Sequence, residues 1–129
     1  MATNAGVTIQ VEVRASFNGN PLLVQRALGN LLSNALVRAL VGSRILMKCE
    51  SHGDYAELSV TDTGEGIASA HIPRIFDRFY HVGPARHGRT SGTGLGLAIV
   101  KSIMKEHGGE CSVTSAPHIR TTFSLRFPR

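Results

Sequence analysis

Ala56-Glu57-Leu58-Ser59-Val60-Thr61-Asp62-Thr63-Gly64-Glu65-Gly66-Ile67 is the stretch from which the rest of this chain can be read. Ala56, Leu58 and Val60 alternate with Glu57, Ser59 and Thr61, the period of a half-buried strand. The alternation ends at Asp62, and two glycines one residue apart follow at once. A second run, Gly92-Thr93-Gly94-Leu95-Gly96-Leu97, opens a helix-like stretch further along. Glycine lets backbone N–H groups approach a ligand with no Cβ in the way. A polyphosphate most needs that approach, because backbone amides and a helix N-terminus can cradle its charge. Neither run is a Walker A loop, since no Gly-Lys-Ser/Thr is present. Leu97 removes the second run from the Rossmann pattern.

Working outward, residues 7–13 alternate and predict a strand. Asn18-Gly19-Asn20-Pro21 is a turn, with Asn20 as N-cap and Pro21 at the first helical position. Residues 21–39 predict a helix with Leu28, Leu31, Leu32, Ala35, Leu36 and Ala39 on one face. At about 100° per residue, Asn30, Asn34 and Arg38 align together away from that face. Residues 44–50 and 55–61 are two strands joined through Ser51-His52-Gly53-Asp54. A short helix over 72–79 begins near Pro73, and a mobile loop spans 81–91. The helix over 95–107 carries Leu95, Ala98, Ile99, Ser102, Ile103 and Glu106 along one stripe and ends at Gly108-Gly109. Residues 110–115 and 121–127 are the last strands. This order predicts an α+β fold: a two-layer α/β sandwich whose mixed, mostly antiparallel five-stranded sheet is covered on one face by about three helices. Residues 1–129 are expected to form one domain, with 1–6 as appended or unstructured sequence.

The composition is 42% hydrophobic but only 5% aromatic, with no tryptophan, so the core must be aliphatic. No apolar run reaches the length of a membrane span, and no signal-peptide pattern opens the chain. Cys49 and Cys111 fall in strand-like runs and read as buried thiols, without a disulfide or a zinc site. The net charge is +5, and it is localised. Arg78, Arg86, Arg89, Lys101 and Lys105 lie in a segment, 78–105, that holds no acidic residue. The other nine basic residues balance the nine acidic ones. A positive surplus around a glycine run suggests an anionic ligand. Nucleic acid is disfavoured, because Phe79 and Tyr80 are the stretch's only stacking aromatics.

Asn30 and Asn34 offer neutral amide oxygens suited to Mg²⁺, which keeps waters and phosphate oxygens and needs few protein ligands. Asp62 can accept a hydrogen bond from an exocyclic amine. Adenine has that amine where guanine has a carbonyl, so Asp62 could select ATP over GTP. A cap on the following turn is the simpler role for Asp62, and the two are compatible. Gly64 and Gly66 would let the chain wrap a base, with Ile67 in apolar contact. Arg78, Arg86 and Arg89 are candidate phosphate clamps. Gly92, Thr93, Gly94, Leu95, Gly96 and Leu97 would aim backbone amides at the phosphates.

In this order the motifs resemble the catalytic, ATP-binding domain of a bacterial sensor histidine kinase, of the gyrase/Hsp90/histidine-kinase/MutL superfamily (the Bergerat fold). Asn30 to Leu36 resembles the N box, Asp62 to Ile67 the first glycine box, Phe76 to Tyr80 the F box and Gly92 to Leu97 the second glycine box. The closing Thr121-Thr122-Phe123-Ser124-Leu125 resembles the final strand. The wording of three blocks looks most like heavy-metal-responsive (copper, silver, zinc or cadmium) kinases. The resemblance implies that Asn34 holds Mg²⁺, that Asn30 contacts phosphates or the metal's surroundings, and that Asp62 binds the adenine amino group. It also implies nucleotide contacts from Tyr80 and Thr122, and an ATP lid over 81–91. The implied reaction moves the γ-phosphoryl of ATP to a histidine on a separate helical dimerisation domain, with a response regulator downstream.

Two departures stand out. The family usually has Lys or Arg three residues after the second asparagine, then an aromatic residue. Here those positions hold Val37 and Arg38. Arg38 could still reach phosphate, but stacking from that position is lost. Further, no histidine in the chain is followed by Asp or Glu, as the family's phosphoacceptor is. The resemblance therefore implies one domain of a longer kinase. This piece would be monomeric and cytoplasmic, and the whole protein a homodimer anchored in the bacterial inner membrane. The alternatives are an ATP-hydrolysing gyrase- or MutL-like relative and a degenerate nucleotide-binding module. Hydrolysis is disfavoured because Asn30 stands where those relatives carry a water-activating glutamate.

Overall fold

The computed structural model describes residues 6–80, 96–116 and 119–128. Five strands form: β1 (Thr8–Val13), β2 (Arg44–Ser51), β3 (Tyr55–Asp62), β4 (Glu110–Ala116) and β5 (Arg120–Pro128). Their order in the sheet is β1-β2-β3-β5-β4. β1 pairs parallel to β2, and the remaining pairs are antiparallel. The α-helices are α1 (Pro21–Arg38) and α2 (Gly96–Glu106). The mixed, mostly antiparallel sheet and its helical layer agree with the architecture expected from the sequence.

Strand periodicity sets the core. In β3, Ala56, Leu58, Val60 and Asp62 are buried. Their partners in β5 are Phe127, Leu125, Phe123 and Thr121, all buried too. Opposed residues in a ladder share a face, so these eight side chains form one surface. Ile45 and Cys49 extend it into β2. Against it pack Ala27, Leu31 and Ala35 from α1 and Leu97, Val100, Ile103 and Met104 from α2. Phe17 stacks on Phe127 with centroids 4.3 Å apart, and His107 meets the same ring edge-on. Cys49 and Cys111 are not joined in a disulfide; Cys49 is buried, its Sγ donating to the Ala15 carbonyl at 3.5 Å, and Cys111 is half-buried. Burial pushes the Cys111 thiol above its ordinary pKa.

Two local expectations change. The short helix expected over 72–79 is instead a 3-10 helix, Ser69–Arg74. The bonds His71 N–H to Ala68 and Ile75 N–H to Ile72 span three residues, and 75–79 continue as turns. Pro73 supplies no N–H, and a residue before proline is disfavoured in α geometry; both shorten the element. The buried stripe of α2 is also not the expected one, and only Ile103 is common to both. Leu97, Ala98, Ile99, Val100, Ile103 and Met104 cover more than one helical face, so periodicity alone could not choose which face meets the sheet.

The Asn20 cap forms as expected. Its Oδ1 accepts from the backbone N–H of Leu22 at 3.0 Å and of Leu23 at 3.1 Å. The Asn20 N–H donates to His107 Nε2 at 3.0 Å, tying the start of α1 to the end of α2. Asn20→Ala should therefore destabilise the fold by about 1 kcal/mol. Urea unfolding monitored by circular dichroism checks this; an unchanged midpoint would contradict it.

Candidate functional site

Asp62 is the last residue of β3 and lies in the core-facing row between Ile45 and Thr121. Strand alternation thus turns a carboxylate inward, and its side chain is only 1% exposed. A buried carboxylate must be held by donors. The Gly64 N–H donates to Asp62 Oδ1 at 3.0 Å, closing an Asx turn. Arg38 Nη2 donates to Asp62 Oδ2 at 2.6 Å, in a salt bridge whose arginine side chain is 11% exposed. A Cβ on Gly64 would stand 2.5 Å from the Arg38 carbonyl oxygen, so the turn can lie against the end of α1 only with glycine there. Gly66 has φ +83°, a conformation that glycine adopts without strain.

The line Asn30, Asn34, Arg38 predicted from helical spacing is present on α1. Asn30 Nδ2 donates to the Gly96 carbonyl at 3.2 Å, joining α1 to the first residue of α2. Asn34 Oδ1 accepts from Arg38 Nη1. The Arg38 guanidinium also sits over the Phe123 ring, 5.4 Å from its centroid. Its Nε is buried with no acceptor among the described residues. Arg38 is thus directed to Asp62 and Asn34, a different placement from the phosphate contact expected of it. Lying in the last turn of α1, its charge also suits the negative end of the helix.

Of the two threonines that open the last strand's motif, Thr121 shares the sheet face of Asp62 and Thr122 does not. Thr122 pairs with Thr61 across the ladder, hydroxyl to hydroxyl at 2.9 Å, on the sheet face opposite Asp62. Thr121 lies beside Asp62 with 0% exposure. Its hydroxyl meets Ser115 Oγ at 2.7 Å, and Ser115 Oγ accepts from the Ile67 N–H at 2.9 Å. The signal was in the sequence: Phe123 belongs to the core, and the residue two before it must share its face. Ile67 is 1% exposed and belongs to the core cluster.

Phe76 packs edge-on against Phe123, and Phe79 is exposed with φ +64°. The Tyr80 hydroxyl bonds His71 Nδ1, and the Arg74 guanidinium lies over the Tyr80 ring. A cleft of about 720 Å³ separates this segment from α2, lined by Phe76, Arg78, Ile99, Lys101 and Lys105 among others. Leu97 is a core side chain at the start of α2. Arg86, Arg89, Gly92, Thr93, Gly94 and Leu95, and the lid expected over 81–91, fall outside the described residues. At the opposite end of β3, Glu50 and Glu57 face each other across the ladder, and His52 sits 3.4 and 3.1 Å from them. Lys48 donates to Glu50 and holds that carboxyl below the usual range. Lys48 sets a positive group against this facing pair of carboxylates.

Residues 19–129 match the family described as histidine kinase-, DNA gyrase B- and HSP90-like ATPase. The chain is 56% identical over 128 residues to the sensor protein IrlS of Burkholderia pseudomallei, covering 99% of this chain and 28% of IrlS. It is 43% identical to the sensor histidine kinase CusS of Escherichia coli K12 over 89% of this chain and 24% of CusS. The chain therefore spans about a quarter of these relatives' length. The mycobacterial sensor histidine kinase MprB superposes with a TM-score of 0.84 at 31% identity, over 96% of this chain and 84% of that one. These matches bear out the histidine-kinase resemblance.

Thr121→Val should cost about 1–2 kcal/mol of stability, because it removes a fully buried hydroxyl from the chain of bonds through the half-buried Ser115 to the Ile67 N–H. Thr122→Val should cost under about 0.5 kcal/mol, since half-exposed Thr61 can turn to water. Paired denaturation curves test the assignment; equal losses would contradict it.

Proposed function

We propose, since this chain belongs to the histidine kinase-, DNA gyrase B- and HSP90-like ATPase family, that it binds Mg-ATP and hands the γ-phosphoryl group to a histidine on a separate dimerisation domain. The chain is the ATPase domain of a sensor histidine kinase, the class to which MprB belongs. The observation that carries the reading is Asp62, a carboxylate buried at the end of a core-facing strand and followed by a turn that only glycine permits. A buried hydrogen-bond acceptor selects a ligand with a donor at its edge, and the adenine amine is that donor.

Asn34 Oδ1 already accepts from a cationic group, so its position and chemistry fit Mg²⁺. The metal, when bound, would neutralise charge on the phosphates. Asn30 cannot act as a base at neutral pH, which favours transfer to a phosphoacceptor over hydrolysis. Its bond to Gly96 braces α1 against the start of α2, where the second glycine run would present amides to the phosphates. Phosphoryl transfer needs positioning and charge neutralisation more than covalent help, and such a scaffold supplies both.

No histidine here is followed by an acidic residue, so the acceptor belongs to the dimerisation domain. The cleft beside α2, with Phe76 and Ile99 among three cations, is the surface we assign to that partner. No helix among the described residues is long and apolar enough to cross a membrane. We place the domain in the cytoplasm, within a dimeric sensor anchored in the inner membrane and acting on a response regulator.

Labelled ATP supplied with the chain and a separate dimerisation domain should yield an acid-labile phosphohistidine on that domain. Label released only as inorganic phosphate would favour the hydrolytic alternative. In calorimetric titration, Mg-ATP should bind in the micromolar range. Asp62→Asn should weaken it by roughly ten- to a hundred-fold. Absence of heat at saturating Mg²⁺ would sink the reading.

A further inference from the structure

Arginine carries five donors and no acceptor, fixed in a planar fork, and keeps its charge at any working pH. Arg38 directs that fork at two groups at once. One arm is on Asp62 Oδ2 at 2.6 Å and the other on Asn34 Oδ1. These are the two oxygens that the proposed function gives to the adenine amine and to Mg²⁺. From this coincidence we infer that Arg38 is a built-in competitor for the nucleotide, a guanidinium that fills both the base acceptor and the metal ligand until Mg-ATP displaces it. The inference rests on the proposed roles of Asp62 and Asn34.

The competition is chemical as well as spatial. The adenine amine is a donor, and so is Nη2. Asp62 Oδ1 is already taken by the Gly64 N–H, Oδ2 by Arg38, and the side chain is 1% exposed. An incoming amine reaches this carboxylate only when Arg38 moves. At the other arm, Mg²⁺ and a guanidinium carry like charge, so they cannot share Asn34 Oδ1 at low cost. One side chain thus stands in for two parts of the ligand.

The plug is also poised to leave. Arg38 Nε is buried without an acceptor among the described residues, an unmet donor that release to water would satisfy. The Arg38 side chain retains 11% exposure at the end of α1, where the chain turns extended at Ala39. The contact with Phe123 adds a modest hold. Apparent affinity then equals intrinsic affinity reduced by the fraction of molecules in which Arg38 has moved. This is the inverse of the stacking role that the family's usual aromatic residue implies at this position.

The test is titration of the full chain with Mg-ATP at pH 8, comparing wild type, Arg38→Met and Arg38→Lys. Arg38→Met keeps the apolar stem and removes every donor. It should bind Mg-ATP roughly ten-fold more tightly than wild type, the equivalent of one charge-assisted hydrogen bond. Arg38→Lys, which can hold only one partner, should fall between them. Binding by Arg38→Met that is equal to or weaker than wild type overturns the competitor role and leaves the adenine site standing. Failure of all three chains to bind overturns the site itself. The wild-type chain gives an independent readout by nitrogen-15 NMR: the Arg38 guanidinium N–H signals should be protected without nucleotide and exchange rapidly at Mg-ATP saturation. Signals unchanged at saturation overturn the inference even if Arg38→Met does not fold.

Discussion

A carboxylate turned into a protein core must be held by donors, and the arrangement around Asp62 follows from that constraint. Strand alternation fixes its direction: once Leu58 and Val60 face the helices, Asp62 does too. Two donors answer it, the N–H of a glycine turn and the head of Arg38. The turn then lies so close to the end of α1 that Gly64 has no room for a Cβ. The same burial that demands those donors makes the residue selective, because a dry acceptor penalises any ligand that brings no donor.

The strands and α1 were legible in the sequence because their signals were local. Alternation marked the strands, and Asn20-Pro21 marked the start of α1. What failed depended on choices that a single element does not encode. α2 carries apolar side chains on more than one face, and the sheet decides which is buried. Pro73 was read as a helix start, but the proline and its predecessor limit the segment to 3-10 geometry.

The site divides the same way. Asp62, the glycine turn and the Asn30-Asn34-Arg38 line were readable, since each follows from period or spacing. Which threonine faces Asp62 was also encoded in the parity of β5, which sets Thr121 on the core face and Thr122 on the other. The direction of Arg38 was not encoded locally. It lies 24 residues from Asp62, and only the packing of α1 on β3 brings the two together. A charge next to a glycine-rich site invites assignment to phosphate, yet the nearest unmet buried charge was a carboxylate.

The account's central claim is that Asp62 reads the edge of an adenine. Titrating the chain in parallel with Mg-ATP and Mg-GTP measures this directly. ATP should bind at least ten-fold more tightly, because guanine presents a carbonyl where Asp62 requires a donor. Equal affinity for the two nucleotides would contradict the claim.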